Sequence, residues 1–197
     1  MIEIFDELQK EGVIFRAKNL NELGLSNYLI NKMVNQGHLK KIYQGVYAID
    51  DIKNIKLTDI NVIIENGVLS LMSAAVYYKL IDGTIVKCDI TLDRDQKPPK
   101  IPYDIFMYYY TTSDLYGVGL NVINQGNRKL KIYDLERTIC DIIKHRNKYD
   151  EQLVNTIFSN YLKRNDVNIP KLLGYSKKVR IYNVVLQYLE MFGGYGE

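Results

Sequence analysis

Apolar positions in this chain recur first at helical spacing and then in alternation, and the changes of period mark out its elements. Ile2, Phe5 and Leu8 stand at helical spacing with acids and Gln9-Lys10 between them, and Gly12 ends that segment. Val13 to Arg16 reads as a short extended stretch. Asn19-Leu20-Asn21-Glu22 then reads as a helix start, with Asn19 as N-cap and Glu22 completing a capping box. Gly24 cuts the helix short, and Ser26 caps a second one whose core face is Leu29, Ile30, Met33 and Val34. Gly37 stops it. From Leu39 to Ile49 the apolar positions alternate on either side of Gln44-Gly45, the signature of a hairpin. A short helix, a glycine-containing turn and a capped second helix form the helix-turn-helix pattern, and a hairpin directly after it reads as a wing. Residues 1–52 are therefore expected to form a winged helix-turn-helix DNA-binding domain.

The rest of the chain predicts a different mixture. Residues 50–58 are polar and read as a linker, followed by an apolar helix from Thr58 to Glu65 that ends at Asn66-Gly67. Another helix starts at Ser70 or Ser73 and carries Ala74, Ala75, Tyr77, Tyr78 and Leu80. Strands are expected at 84–92, 105–111, 119–124 and 128–133, with an exposed Lys97-Pro98-Pro99-Lys100-Ile101-Pro102 loop that no helix could cross. Asp134 caps a helix with Leu135, Ile139, Ile142 and Ile143 on its core face. A further helix runs from about Asp150 to Lys163, and a last one follows Ser176 with Ile181, Val184, Val185, Tyr188, Leu189 and Phe192 in register. There is no internal repeat. The fold class is α+β: an N-terminal winged helix-turn-helix, then a mixed α/β C-terminal domain over 53–197 with a small sheet and a helical end.

The 197 residues suit one large domain, or a small head on a medium body, and 47% hydrophobic with 25% charged residues allows a real core. No apolar run approaches the roughly 18–20 residues that span a bilayer. The first residues carry early acids and no block of signal-peptide type, so no membrane partner and a cytoplasmic location are expected. Cys88, Cys140, His38 and His145 stand isolated, with no ligand spacing among them, so neither a metal nor a cofactor is expected. Both cysteines sit in apolar patterns and read as buried thiols.

Net charge is only +3, so its distribution matters more than its sum. From Ser26 through Ile49 there is no Asp or Glu, while Lys32, Lys40 and Lys41 supply positive charge. A surface for phosphates must avoid carboxylates, which oppose counterion release. The polar face of the second helix carries Tyr28, Asn31, Lys32 and Asn35, behind Ser26 and Asn27 at its start, and the wing carries Lys40, Lys41 and Gln44. These nine residues form the expected DNA-binding set: donors for phosphates, with asparagines able to pair with adenine in the major groove.

Other chemistry is weaker. Asp89, Asp93 and Asp95 could hold Mg²⁺ for nucleotidyl transfer or nuclease work, but they read more simply as a strand end entering a polar loop. Asp134 reads as a cap and Glu136 as compensation of the helix dipole, with Arg137 pairing Glu136 or Asp141, a pair worth little if exposed. Tyr108, Tyr109 and Tyr110 read as half-buried strand tyrosines rather than a base-stacking platform. No nucleophile elbow, phosphate-cradling glycine loop or Cys/His pair is visible, and no catalytic residue is assigned. An enzyme with a DNA-binding head and an effector-responsive regulator are the alternatives. Lys163, Arg164, Lys171, Lys177, Lys178 and Arg180 form a second basic region with only Asp166 opposing. It reads equally as a solvated rim, an auxiliary phosphate-contacting surface or a docking face for an acidic partner.

Three stretches resemble the AbiEi antitoxins of type IV toxin–antitoxin, abortive-infection systems. Ile14 to Ser26, running on to Gly37-His38-Leu39-Lys40-Lys41-Ile42-Tyr43-Gln44-Gly45-Val46-Tyr47-Ala48, is similar to the family's N-terminal winged helix. Ser73-Ala74-Ala75 within 70–80 resembles its S-A-x-x helix, although Lys79-Leu80-Ile81 stands where the family often has a His-Gly pair. Tyr133-Asp134-Leu135-Glu136-Arg137-Thr138-Ile139-Cys140-Asp141 is similar to its Y-D-x-E-R-T-x-x-D stretch, the most specific of the three. The resemblance implies a non-enzymatic protein that represses its own promoter by binding inverted repeats in double-stranded DNA. It also implies a C-terminal domain that counteracts a toxin of nucleotidyltransferase fold without forming a stable complex.

Overall fold

The computed structural model describes residues 12–50 and 55–193. The helix expected over 2–10, part of the expected linker and the expected boundary between 52 and 53 lie outside the described residues. The fold is α+β, and contacts divide the chain into two units: residues 1–67, 97–105 and 122–131, and residues 68–96, 106–121 and 132–197.

In the first unit, strand β1 (Ile14–Arg16) leads directly into helix α1 (Ala17–Glu22). Asn19 is therefore inside the helix, and Arg16 stands at the N-cap with no side-chain capping bond. The expected cap is unnecessary because the Ala17 N–H donates to the Gly45 carbonyl at 2.9 Å, satisfying one of the orphan donors of the first turn. Helix α2 (Asn27–Asn35) follows, then strands β2 (Lys40–Tyr43) and β3 (Val46–Ala48). The three strands form an antiparallel sheet in the order β1-β3-β2. Phe15, Leu20, Leu25, Ile30, Met33, Leu39 and Tyr47 close a small core beneath it.

Where one helix is expected over 58–65, a 3-10 turn at Leu57–Asp59 precedes a single helical turn, α3 (Ile60–Ile63). Asp59 explains the break. It is fully buried, accepts from the Lys56 N–H at 2.8 Å, and forms an ion pair with Arg128. Arg128 also donates to the Ile14 carbonyl at 2.7 Å and lies 4.9 Å over the Phe15 ring.

The second unit opens with β4 (Val68–Leu69), a strand too short to show a period in sequence, and α4 (Leu71–Tyr77). Strand β5 (Cys88–Asp93) starts later than the expected residue 84, and β6 (Phe106–Thr111) pairs with it in parallel. A turn of helix, α5 (Ser113–Tyr116), precedes β7 (Leu120–Gln125) and β8 (Arg128–Tyr133), of which residues 122–131 belong to the first unit. The sheet order is β6-β5-β4-β8-β7. Helices α6 (Leu135–Lys144), α7 (Glu151–Leu162), α8 (Ile169–Lys178) and α9 (Tyr182–Gly193) complete the unit.

Every residue of α6 from Leu135 to Ile143 is buried, which makes it the central helix of this core rather than a half-exposed one. Its Ile139 and Ile142 pack in one cluster with Val154, Ile157, Phe158, Leu172 and Val185. The last helix expected after Ser176 starts later, at Tyr182, as α9, and α8 before it is a helix the sequence pattern does not predict. Asn168 caps α8 by accepting from the Lys171 N–H at 3.0 Å, and Pro170 occupies its first turn. Ser176 lies buried within α8, its hydroxyl donating to the Leu173 carbonyl at 2.8 Å, so it starts nothing.

Candidate nucleic-acid interface

The turn between α1 and α2 is fixed by local chemistry. The Leu25 N–H reaches back to the Leu20 carbonyl at 3.0 Å, and the Asn21 amide donates to the Leu25 carbonyl at 2.7 Å and to Asn27 Oδ1 at 3.2 Å. Ser26 Oγ accepts from the Leu29 N–H at 3.3 Å, as a helix cap should. The helix is thus held at its entry by two side chains and from below by Ile30 and Met33, both buried. The expected core face is narrower than four residues. Val34 is only half-buried and Leu29 is 39% exposed, standing 100° round from Ile30 at the margin of the buried stripe.

The remaining side of α2 is open. Ser26, Asn27, Asn31, Lys32 and Asn35 are exposed, and Tyr28 is 75% exposed, high for a tyrosine. On the hairpin, Lys40, Lys41 and Gln44 are exposed while Ile42, Val46 and Ala48 point into the core. Lys41 Nζ donates to Gln44 Oε1 at 3.1 Å across the turn. Gly45 at φ 77° makes that turn in a conformation costly for any residue with a side chain. A register shift between Lys41 and Tyr43 adds the local twist of a bulge. No acid stands between Glu22 and Asp50. The arrangement offers hydroxyl, amide and ammonium donors on a capped helix and a short hairpin, and no carboxylate to repel a polyanion.

Half of the second basic region is engaged in contacts within the chain. Arg164 pairs with Asp166 at 2.7 Å and donates to the Tyr78 carbonyl at 2.8 Å. Lys171 bridges Asp134 and Glu136 at 3.0 and 3.1 Å. Burial opposes its ammonium, but the two carboxylates outweigh that cost and its pKa stands raised. Lys177 lies 4.8 Å over the Tyr182 ring. Lys163, Lys178 and Arg180 are exposed at the ends of α7 and α8, where cations complement the helix dipole.

Of the three acids considered for Mg²⁺, Asp89 and Asp93 accept local hydrogen bonds. Asp89 accepts from the Ser73 N–H at 3.1 Å, and burial raises its pKa. Asp93 accepts from the Asp95 N–H and from Ser113 Oγ, both at 3.1 Å, tying off the end of β5. Of the three strand tyrosines, Tyr108 and Tyr109 are half-buried and Tyr110 is 54% exposed. Asp134 caps α6, accepting from the Arg137 N–H at 2.9 Å. Glu136 stands in the first turn of α6 and Arg137 pairs within the helix, as expected, and both are buried. Glu136 accepts from the Asn168 N–H at 3.2 Å, and Arg137 pairs with Asp141 at 3.0 Å.

Among the described residues no helix is long and apolar enough to cross a membrane. A comparison with curated proteins gives no match. A family model described as transcriptional regulator, AbiEi antitoxin, matches residues 3–49, which include α1, α2 and both strands of the hairpin. The match covers 47 of 197 residues and stops before the stretches at 70–80 and 133–141. Over residues 3–49, then, this chain is similar to the AbiEi antitoxin family of transcriptional regulators.

Proposed function

We propose that the chain is a DNA-binding autorepressor and antitoxin of the cytoplasm. Residues 12–50 act as a winged helix-turn-helix: α2 enters the major groove with Tyr28, Asn31, Lys32 and Asn35, while Lys40, Lys41 and Gln44 on the wing hold the backbone beside it. Ser26 and Asn27 place the helix N-terminus against a phosphate. The target is a set of inverted repeats in its own promoter. The remainder of the chain counteracts a nucleotidyltransferase-fold toxin, functionally and without a lasting complex. The observation that carries this reading is the exposed, acid-free face of the capped α2, within the segment that matches a regulator family.

Fluorescence anisotropy on a duplex from immediately upstream of the coding sequence tests the first part. Lys40→Ala with Lys41→Ala is expected to weaken binding and to lower the slope of log K against log salt by about 1.8, roughly 0.9 for each phosphate no longer neutralised. Asn31→Ala or Asn35→Ala is expected to erode preference for that duplex over an unrelated one. Unchanged affinity and slope in the lysine variant would remove the wing from the interface. The second part predicts that co-expression of the full chain restores growth to cells making a toxin of that fold, and absence of rescue counts against it.

A further inference from the structure

The head proposed above is lightly charged, with three lysines and no arginine on its contacting side. Yet the chain's whole surplus of +3 lies in the first unit, where thirteen Lys and Arg stand against ten Asp and Glu. Part of that surplus comes from the β7–β8 hairpin, whose residues 122–131 belong to the same unit as α1 and α2. No acid occurs between Asp114 and Asp134, while Arg128, Lys129 and Lys131 do, together with Asn124, Gln125 and Asn127.

Burial alternates along β8. Arg128 and Leu130 point inward, whereas Lys129 is exposed and Lys131 half-exposed. The inward guanidinium is anchored on Asp59, the Ile14 carbonyl and the Phe15 ring, which fixes the hairpin tip to β1 at the root of α1. Beside it is a cavity of about 380 Å³ whose lining includes Asn19 of α1, Asn61, Glu65, Asn127, Lys129 and Lys131.

Asn61 and Glu65 in that lining have little bonding capacity left. The Asn61 amide donates to the Gly67 carbonyl at 2.6 Å, and its oxygen accepts from the Lys131 N–H at 2.7 Å. Glu65, on the wall, pairs with Arg16 at 3.5 Å. A small anion sinking into the cavity would meet spent donors and a carboxylate. The two lysines of the lining are different. Among the described residues Lys129 makes no ion pair, and Lys131 Nζ donates one bond, to Asn66 Oδ1 at 3.1 Å, leaving two protons. Asn19, exposed on α1, completes this set, and the first helix of a helix-turn-helix is the one that crosses the DNA backbone.

We infer that the β7–β8 hairpin is a second duplex-DNA contact, in which Lys129, Lys131 and Asn127 hold backbone phosphates beside α1. The inference rests on the DNA-binding reading of the head and adds a site outside α2 and the wing. A two-stranded ribbon of this kind fits against a duplex, and backbone contacts add affinity without reading sequence.

The test uses the full chain, the upstream duplex and an unrelated duplex of equal length across a salt series. Lys129→Gln with Lys131→Gln is expected to bind both duplexes about 30-fold more weakly at 0.15 M salt, and to lower the salt slope by about 1.8. Its circular dichroism and melting should match the wild type. If Lys131→Gln disturbs folding through Asn66, Lys129→Gln alone decides, with about a fivefold loss on both duplexes. Wild-type affinity in the hairpin variants, alongside weakened binding by the Lys40/Lys41 variant, overturns the inference and leaves the head's function standing. If the wild type binds neither duplex, both readings fall. If ATP or inorganic phosphate raises the melting temperature of the wild type but not of Lys129→Gln, while the DNA slope is unchanged, the cavity is a small-anion site and the inference is wrong.

Discussion

Arg137 shows how far burial changes the meaning of a residue. In sequence it is one member of an i, i+4 charge pair of the kind that contributes little at a surface. In the structure it is 2% exposed, its Nε donates to both Asp141 oxygens at 3.0 Å, and its Nη1 donates to the carbonyls of Leu115 and Val118 at 2.8 and 2.9 Å. The guanidinium also lies 4.4 Å over the Tyr133 ring. Arg137→Ala would leave a buried carboxylate and two carbonyls without their donor, at an expected cost of about 3–5 kcal/mol. Arg137→Lys keeps the charge but not the planar fork, and should recover only part of that. Urea unfolding measures both, and a loss under about 1 kcal/mol for the alanine variant would reduce the pair to surface strength. The cysteines run the other way: both are buried, as the apolar pattern implies, and burial pushes the Cys88 thiol up to about 11.

At the scale of elements, what sequence conveys is the local device. Ser26 is legible as a cap because the acceptor and the N–H it serves are three residues apart. Asn19 misleads because the helix starts two residues earlier, at Ala17, whose N–H is served by the Gly45 carbonyl 28 residues further on. Ser26→Ala is therefore expected to cost about 1 kcal/mol, and Asn19→Ala close to nothing in stability. Equal losses from the two, measured by thermal unfolding, would restore Asn19 as a cap. Gly119 marks the same divide. Its φ of 74° suits the turn that a glycine before β7 suggests, but only the fold shows that a Cβ there would come within 2.5 Å of Arg137 Cβ. The division of the chain's end into α8 and α9 is hidden for a related reason: Arg180, left-handed at φ 63°, breaks the helix without the glycine that usually signals such a break.

The molecule as a whole is less modular than its sequence. The first unit is assembled from three separated segments, and Arg128, which secures Asp59 and Ile14, comes from the third of them. A fragment of residues 1–67 would bury Asp59 without its cation, a loss of about 3–5 kcal/mol. It is expected to melt well below the full chain when followed by circular dichroism, and a fragment that melts cooperatively at the same temperature would show the third segment to be dispensable.

The sequence by itself determined the α+β class, the order of helix, turn, helix and hairpin in the head, the cap on α2, and the strands at 106–111, 120–125 and 128–133 to within a residue or two. It also named an acid-free polar face on α2. These are written in neighbours a few residues apart, where periodicity, caps and turn residues act directly. Tertiary structure decided what distance decides: that Glu136 and Arg137 are buried, that Lys171 is held by two carboxylates, and that Arg128 reaches Asp59 across 69 residues. A charged side chain looks the same in sequence whether it ends in water or against a buried partner, and only the packing around it tells the two apart.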